Sequence, residues 1–111
     1  MGIKIGKSKI KLPRSIHPND LVEVKCIIIH PMETGRRKNR RTGERIPAHY
    51  IEDVEVYYGE DKIAHFEIGA GVSQNPLFSF YLKATKQAPL KMIFRDNQGG
   101  TYQSTASIAF G

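Results

Sequence analysis

The stretch from Leu21 to His30 reads Leu-Val-Glu-Val-Lys-Cys-Ile-Ile-Ile-His, with Val22, Val24, Cys26 and Ile28 on one face and Glu23 and Lys25 on the other. Successive side chains of an extended chain point to opposite sides, so this period of two is the mark of a strand buried on one face and wet on the other. No segment sustains an apolar stripe of helical period, and the chain reads as all-β. Strands are expected over residues 3–11, 21–30, 50–58, 63–68, 77–83, 90–96 and 101–109. In the third, Val54 and Val56 point inward and Asp53, Glu55 and Tyr57 outward. Gly59-Glu60-Asp61-Lys62 and Asp96-Asn97-Gln98-Gly99-Gly100 are turn sequences, and residues 69–76 (GAGVSQNP) form a loop by their Gly, Ser, Asn and Pro content. Seven short strands in 111 residues fit one domain, 1–111, with an immunoglobulin-like or fibronectin type III-like β-sandwich. The Cys–Trp–Cys hallmark of antibody domains is absent, since the chain has no Trp and one cysteine.

That single cysteine, Cys26, excludes an internal disulfide and any site needing several thiolates. Its place on the inward face of the most apolar strand makes it a core residue rather than a reactive thiol. The first residues carry lysines but no apolar run of the length a secretory signal needs, and no stretch approaches a membrane span. No signal peptide and no membrane insertion are therefore expected.

The net charge of +6 is local. Residues 1–14 hold five Lys/Arg and no acid, and residues 35–45 (GRRKNRRTGER) hold six against Glu44. The rest of the chain has ten acidic and six basic residues, a net of −4. Residues 31–47 are the longest connection, and one of that length in so small a domain usually has a task. We read it as a mobile cationic docking loop for an acidic partner, set against the plainer reading of a solvated hairpin tip. The alternative is nucleic-acid binding through the Arg-rich loop 35–45, since guanidinium groups neutralise phosphates. Two features argue against it: no aromatic residue lies between Gly35 and Arg45 for base stacking, and the remainder of the chain is mildly acidic.

Other chemistry is weakly marked. His17, His30, His49 and His65 are far apart, with none at common metal-motif spacing, which leaves only convergence in space. His30 and His49 flank the long loop and can meet at its base, bracing it by hydrogen bonds rather than acting as an acid–base pair. Asp53 and Glu55 share an outward strand face and read as solubilising, and Gly69-Ala70-Gly71 has too few glycines to cradle a phosphate. No catalytic, cofactor-binding or metal residues are assigned, and no cofactor is expected.

The runs His30-Pro31-Met32-Glu33-Thr34-Gly35, Thr42-Gly43 and Ile46-Pro47-Ala48-His49-Tyr50-Ile51 resemble the SoxZ family of thiosulfate-oxidation proteins. The resemblance extends to Val72-Ser73-Gln74-Asn75-Pro76 before an aromatic strand and to Asp96-Asn97, so it covers nearly the whole chain. It implies a fibronectin-like sandwich that is not an enzyme but pairs as a heterodimer with a SoxY-like protein, whose C-terminal cysteine arm holds sulfur intermediates. It further implies transient contact with other Sox enzymes, and a periplasmic location reached by co-export with the signal-bearing partner. Within this reading the partner-binding loop comprises His30, Pro31, Met32, Glu33, Thr34, Gly35, Arg36, Arg37, Lys38, Arg40, Arg41, Arg45 and His49.

Overall fold

The computed structural model describes residues 5–68, 72 and 74–111. Seven strands follow in chain order: β1 (Ser8–Lys11), β2 (Leu21–Ile28), β3 (Ile51–Tyr58), β4 (Asp61–Glu67), β5 (Leu77–Lys83), β6 (Ala88–Asp96) and β7 (Thr101–Ile108). They make two antiparallel sheets, ordered β1-β2-β5 and β4-β3-β6-β7, which share one core as a β-sandwich. The fourth strand pairs with the third, unlike the immunoglobulin constant type, where it joins the first, second and fifth.

Strand ends differ from the sequence expectation where a side chain or a turn takes over the ladder. β2 stops at Ile28, because the next inward residue, His30, gives its backbone N–H to the side-chain oxygen of Asn75 (3.0 Å). β4 starts at Asp61 because Gly59-Glu60 is a two-residue hairpin loop, with Gly59 at φ +63°. Among the described residues the first strand begins at Ser8, since Gly6 sits at φ +93°, outside the extended region; Ile3 and Lys4 of the expected strand lie outside the described residues.

Inward faces follow the period of two. Val22, Val24, Cys26 and Ile28 of β2 are fully or almost fully buried and meet Leu90, Met92 and Phe94 of β6 in the same core. On β3, Val54 and Val56 are inward as expected, and a register shift between Ile51 and Asp53 turns Ile51 inward too. Each such side chain contributes roughly 1.5–3 kcal/mol by leaving water. Glu55 lies on the outer face but is 9% exposed, not solubilising as the sequence suggests. Arg95, Lys62 and Tyr57 cover its carboxylate, and the hydrogen bonds from Lys62 and Arg95 hold its pKa down at about 2. Asp53 likewise pairs with His65.

Cys26 is 0% exposed, and burial pushes its thiol pKa up to about 11. The native protein should resist a thiol reagent at pH 7 and react fully in denaturant. Cys26→Ala should lower stability by about 1–2 kcal/mol in urea unfolding. Rapid labelling of the folded protein would contradict this placement.

Candidate functional site

On β6 the inward positions Leu90, Met92, Phe94 lead to Asp96, so the strand's alternation delivers a carboxylate to the end of an apolar stripe. A buried charge is tolerated only when its hydrogen-bonding capacity is met. Here five donors converge on it. Asp96 Oδ2 accepts from Tyr102 OH (2.8 Å), His30 Nε2 (3.0 Å) and His49 Nε2 (2.8 Å), and Oδ1 accepts from the backbone N–H groups of Gly100 (2.7 Å) and Gln98 (3.1 Å). Burial alone would raise the pKa of Asp96. The bonds from His30, Tyr102, Gly100 and His49 outweigh it and hold the group well below the usual carboxylate range.

Each donor arrives for a local reason. His30 continues the inward series of β2 and is fully buried. Its Nδ1 accepts from Met32 N–H (3.3 Å), so the network assigns the proton to Nε2, which donates to Asp96. Burial lowers its pKa from 6.5 and keeps the ring neutral at pH 7. His49 is set by a backbone bridge with Glu33, and its ring stands edge-on to that of His30 at 4.5 Å. Tyr102 comes from β7, with its pKa pushed up to about 12 by burial and by Asp96, so its hydroxyl stays a donor. Two glycines make room: a Cβ on Gly6 would collide with the Tyr102 ring, and one on Gly100 would collide with the Tyr102 hydroxyl and the Asp96 carboxylate.

The three groups His30, His49 and Asp96 offer ligand atoms within 4.8 Å of one another, so two of the histidines that the sequence leaves apart do converge. A metal does not fit them as they stand. Binding an ion through His30 Nε2 would need the proton moved to Nδ1, where Met32 N–H already points. No side-chain polar atom buried among the described residues lacks a partner. The cluster is therefore a closed hydrogen-bonded brace, in which both nitrogens of His30 and both oxygens of Asp96 are occupied. The carboxylate of Asp96 and the ring of His30 are thereby committed to holding the structure.

What the brace holds is the long connection. Residues 33–49 form a two-legged arm rather than an open loop: Glu33 and His49 exchange backbone bonds (2.7 and 2.9 Å), Ile46 N–H donates to Arg37 O (2.8 Å) and Asn39 N–H to Glu44 O (2.8 Å). At the tip the Asn39 side chain accepts from the N–H groups of Arg41 (2.8 Å) and Thr42 (3.3 Å). Of the candidate loop residues, Arg36, Arg37, Lys38, Arg40, Arg41, Arg45 and Thr34 are exposed, Arg37 being paired with Glu33. His30 and Met32 depart from the sequence assignment, because they are buried and cannot meet a partner directly. Met32 sits at φ +51°, with its sulfur accepting from Ile51 N–H (3.4 Å), and fastens the arm to β3. Pro31, Glu33, Gly35 and His49 are partly exposed at the arm's base. Asn97 completes the attachment: its side-chain oxygen accepts from Tyr50 N–H (2.8 Å) and its amide donates to Ala48 O (3.0 Å). The Gly69-Ala70-Gly71 reading falls outside the described residues.

Sequence reasoning places His30 and His49 together but omits Asp96 and Tyr102 from the site. The signal for Asp96 was an acid at an inward position directly before a Gly-rich turn. Removing one hydrogen bond to the buried carboxylate, as in Tyr102→Phe, should cost about 1.5–3 kcal/mol. Asp96→Ala should cost about 3–5 kcal/mol, because it leaves two imidazoles and a phenol without their acceptor. His30 binds a proton less readily folded than unfolded, so its contribution is complete above pH ~6.5 and is lost as pH falls below that. Urea unfolding should show stability declining from pH 6.5 to 5, with a shallower decline in His30→Asn.

The family model for "Sulphur oxidation protein SoxZ" matches residues 10–107. Comparison with curated protein sequences gave no match. Among solved structures, a superoxide reductase (neelaredoxin) from Ignicoccus hospitalis superposes with TM-score 0.72 at 20% identity, covering 96% of this chain and 82% of that one. A superoxide reductase from Archaeoglobus fulgidus gives 0.62 at 19% identity, with 96% and 92% covered. The sulfur carrier protein SoxY from Chlorobium limicola f thiosulfatophilum gives 0.59 at 14% identity, with 90% and 71% covered. At these identities the three structures share a fold with the chain. The family match extends over nearly its whole length, and the chain belongs to the SoxZ family.

Proposed function

We propose that this chain is the non-catalytic subunit of a sulfur-carrier complex, forming a heterodimer with a SoxY-like protein and helping to present that partner's cysteine-bound intermediates to other enzymes of the system. The observation that carries the reading is the burial of Cys26. A sulfur-oxidation protein whose single cysteine is 0% exposed, with its thiol held neutral by burial, needs another chain to bear the sulfur. The carboxylate brace supports the same reading, since every atom that could do acid–base work within Asp96 and His30 is already bonded. A periplasmic site of action, reached with a signal-bearing partner, is part of the proposal.

In this reading the braced arm supplies electrostatics. Arg36, Lys38, Arg40, Arg41 and Arg45 stand exposed on it and attract acidic enzymes of the system over about a Debye length, an effect that raises association rates and fades with salt.

Sedimentation of this chain with a SoxY-like protein at micromolar concentration should give a stable one-to-one complex. Its absence would refute the proposal. Replacing Arg36, Arg40 and Arg41 by Gln should slow association with the pathway's enzymes roughly tenfold at low salt, with little change at high salt. Unaltered rates would reduce the arm to a solvated hairpin.

A further inference from the structure

The two outer faces of the sandwich are finished differently. On β4-β3-β6-β7 most outward side chains cover one another: Arg95 and Lys62 on Glu55, His65 on Asp53, and Lys91 over the Tyr57 ring at 5.3 Å, with Ile63 of the edge strand β4 41% exposed. On β1-β2-β5 the outward positions hold Leu21, Ile27, Leu77 and Tyr81, exposed by 71, 46, 60 and 65%. Ile27 and Leu77 are direct cross-strand neighbours, and Lys9 faces Ile27 from β1 while Lys11 faces Lys25. Together Ile27, Leu77 and these three lysines line a shallow depression of about 320 Å³. Of the charges on this face, Lys9, Lys11, Lys25 and Lys83 stand against Glu23 alone.

A sheet face turned to water is ordinarily polar, and contiguous exposed apolar side chains rimmed by charge mark a protein interface. We infer that the outer face of β1-β2-β5 is the docking surface for the partner of the carrier complex, through a matching patch of apolar side chains ringed by carboxylates. This rests on the proposed function and adds the face to it. Charge selects the occupant: two copies of this chain stacked by the same face would bring eight lysines together against two glutamates, whereas an acidic rim would pair with them.

The test measures binding of a SoxY-like protein by the wild type, by the pair Ile27→Glu with Leu77→Glu, and by Ile63→Glu, an exposed apolar position on β4 of the other sheet. Circular dichroism and urea midpoints establish that each variant is folded, and the single changes replace the pair should it fail to fold. The expected result is a loss of at least 100-fold in affinity for the pair, and a change within threefold for Ile63→Glu. A wild type that binds, with a folded pair that binds equally well, overturns the face and leaves the carrier reading standing. A wild type that fails to bind overturns the carrier reading, and the docking face with it. Two further arms, self-association of the wild type and its binding to phosphatidylglycerol vesicles, each abolished by the pair, would assign the face to a second copy or to a membrane and so overturn it as well.

Discussion

A single buried carboxylate organises one end of this molecule. Asp96 has no exposed side-chain surface and remains ionised because five donors from three separate parts of the chain meet it: the end of β2, the entry to β3, and the β6–β7 hairpin with β7 itself. The desolvation of that charge is offset only if all of those parts arrive together. The carboxylate therefore couples both sheets at the point where the arm leaves the sandwich.

That coupling explains why a strongly cationic segment can be ordered. Arg36 to Arg45 repel one another, and the few backbone bonds of a two-legged arm would stabilise it weakly alone. With His49 and Met32 fixed at its root by Asp96, His30 and Ile51, the arm starts from a defined geometry. Holding its charges in that geometry lowers the chain entropy that any contact with them would cost. In the proposed complex the outer sheet face would supply apolar area for stable association, and the arm surface charge for encounter.

Much of the sandwich was legible because period-two alternation survives in β2, β5, β6 and β7, where every second residue is more deeply buried than its neighbours. Leu77–Lys83 matched its expected bounds, and Val22 to Ile28 pointed as read. The errors fall where another interaction overrides the period. Glu55 reads as solubilising but is covered by Arg95, a partner forty residues away in sequence. The backbone bridges of the arm stay hidden in the sequence because its ladder joins charged residues that carry no apolar alternation. The site was half legible: two histidines flanking a long connection suggest a brace, whereas Asp96 and Tyr102 become its centre only through pairing of β6 with β7. The burial of Met32 was hidden too, since a left-handed backbone at a Met leaves no signal in the sequence.

The protonation pattern of His30 tests the brace most directly, because it depends at once on the ionised Asp96, on the Met32 N–H and on the exclusion of a metal. Long-range proton–nitrogen NMR of the folded protein at pH 7 should show His30 neutral, with Nε2 protonated and Nδ1 bare, and unchanged on addition of zinc or ferrous ion. A proton on Nδ1, or a His30 signal displaced by stoichiometric metal, would contradict the account and make the cluster a ligand set instead.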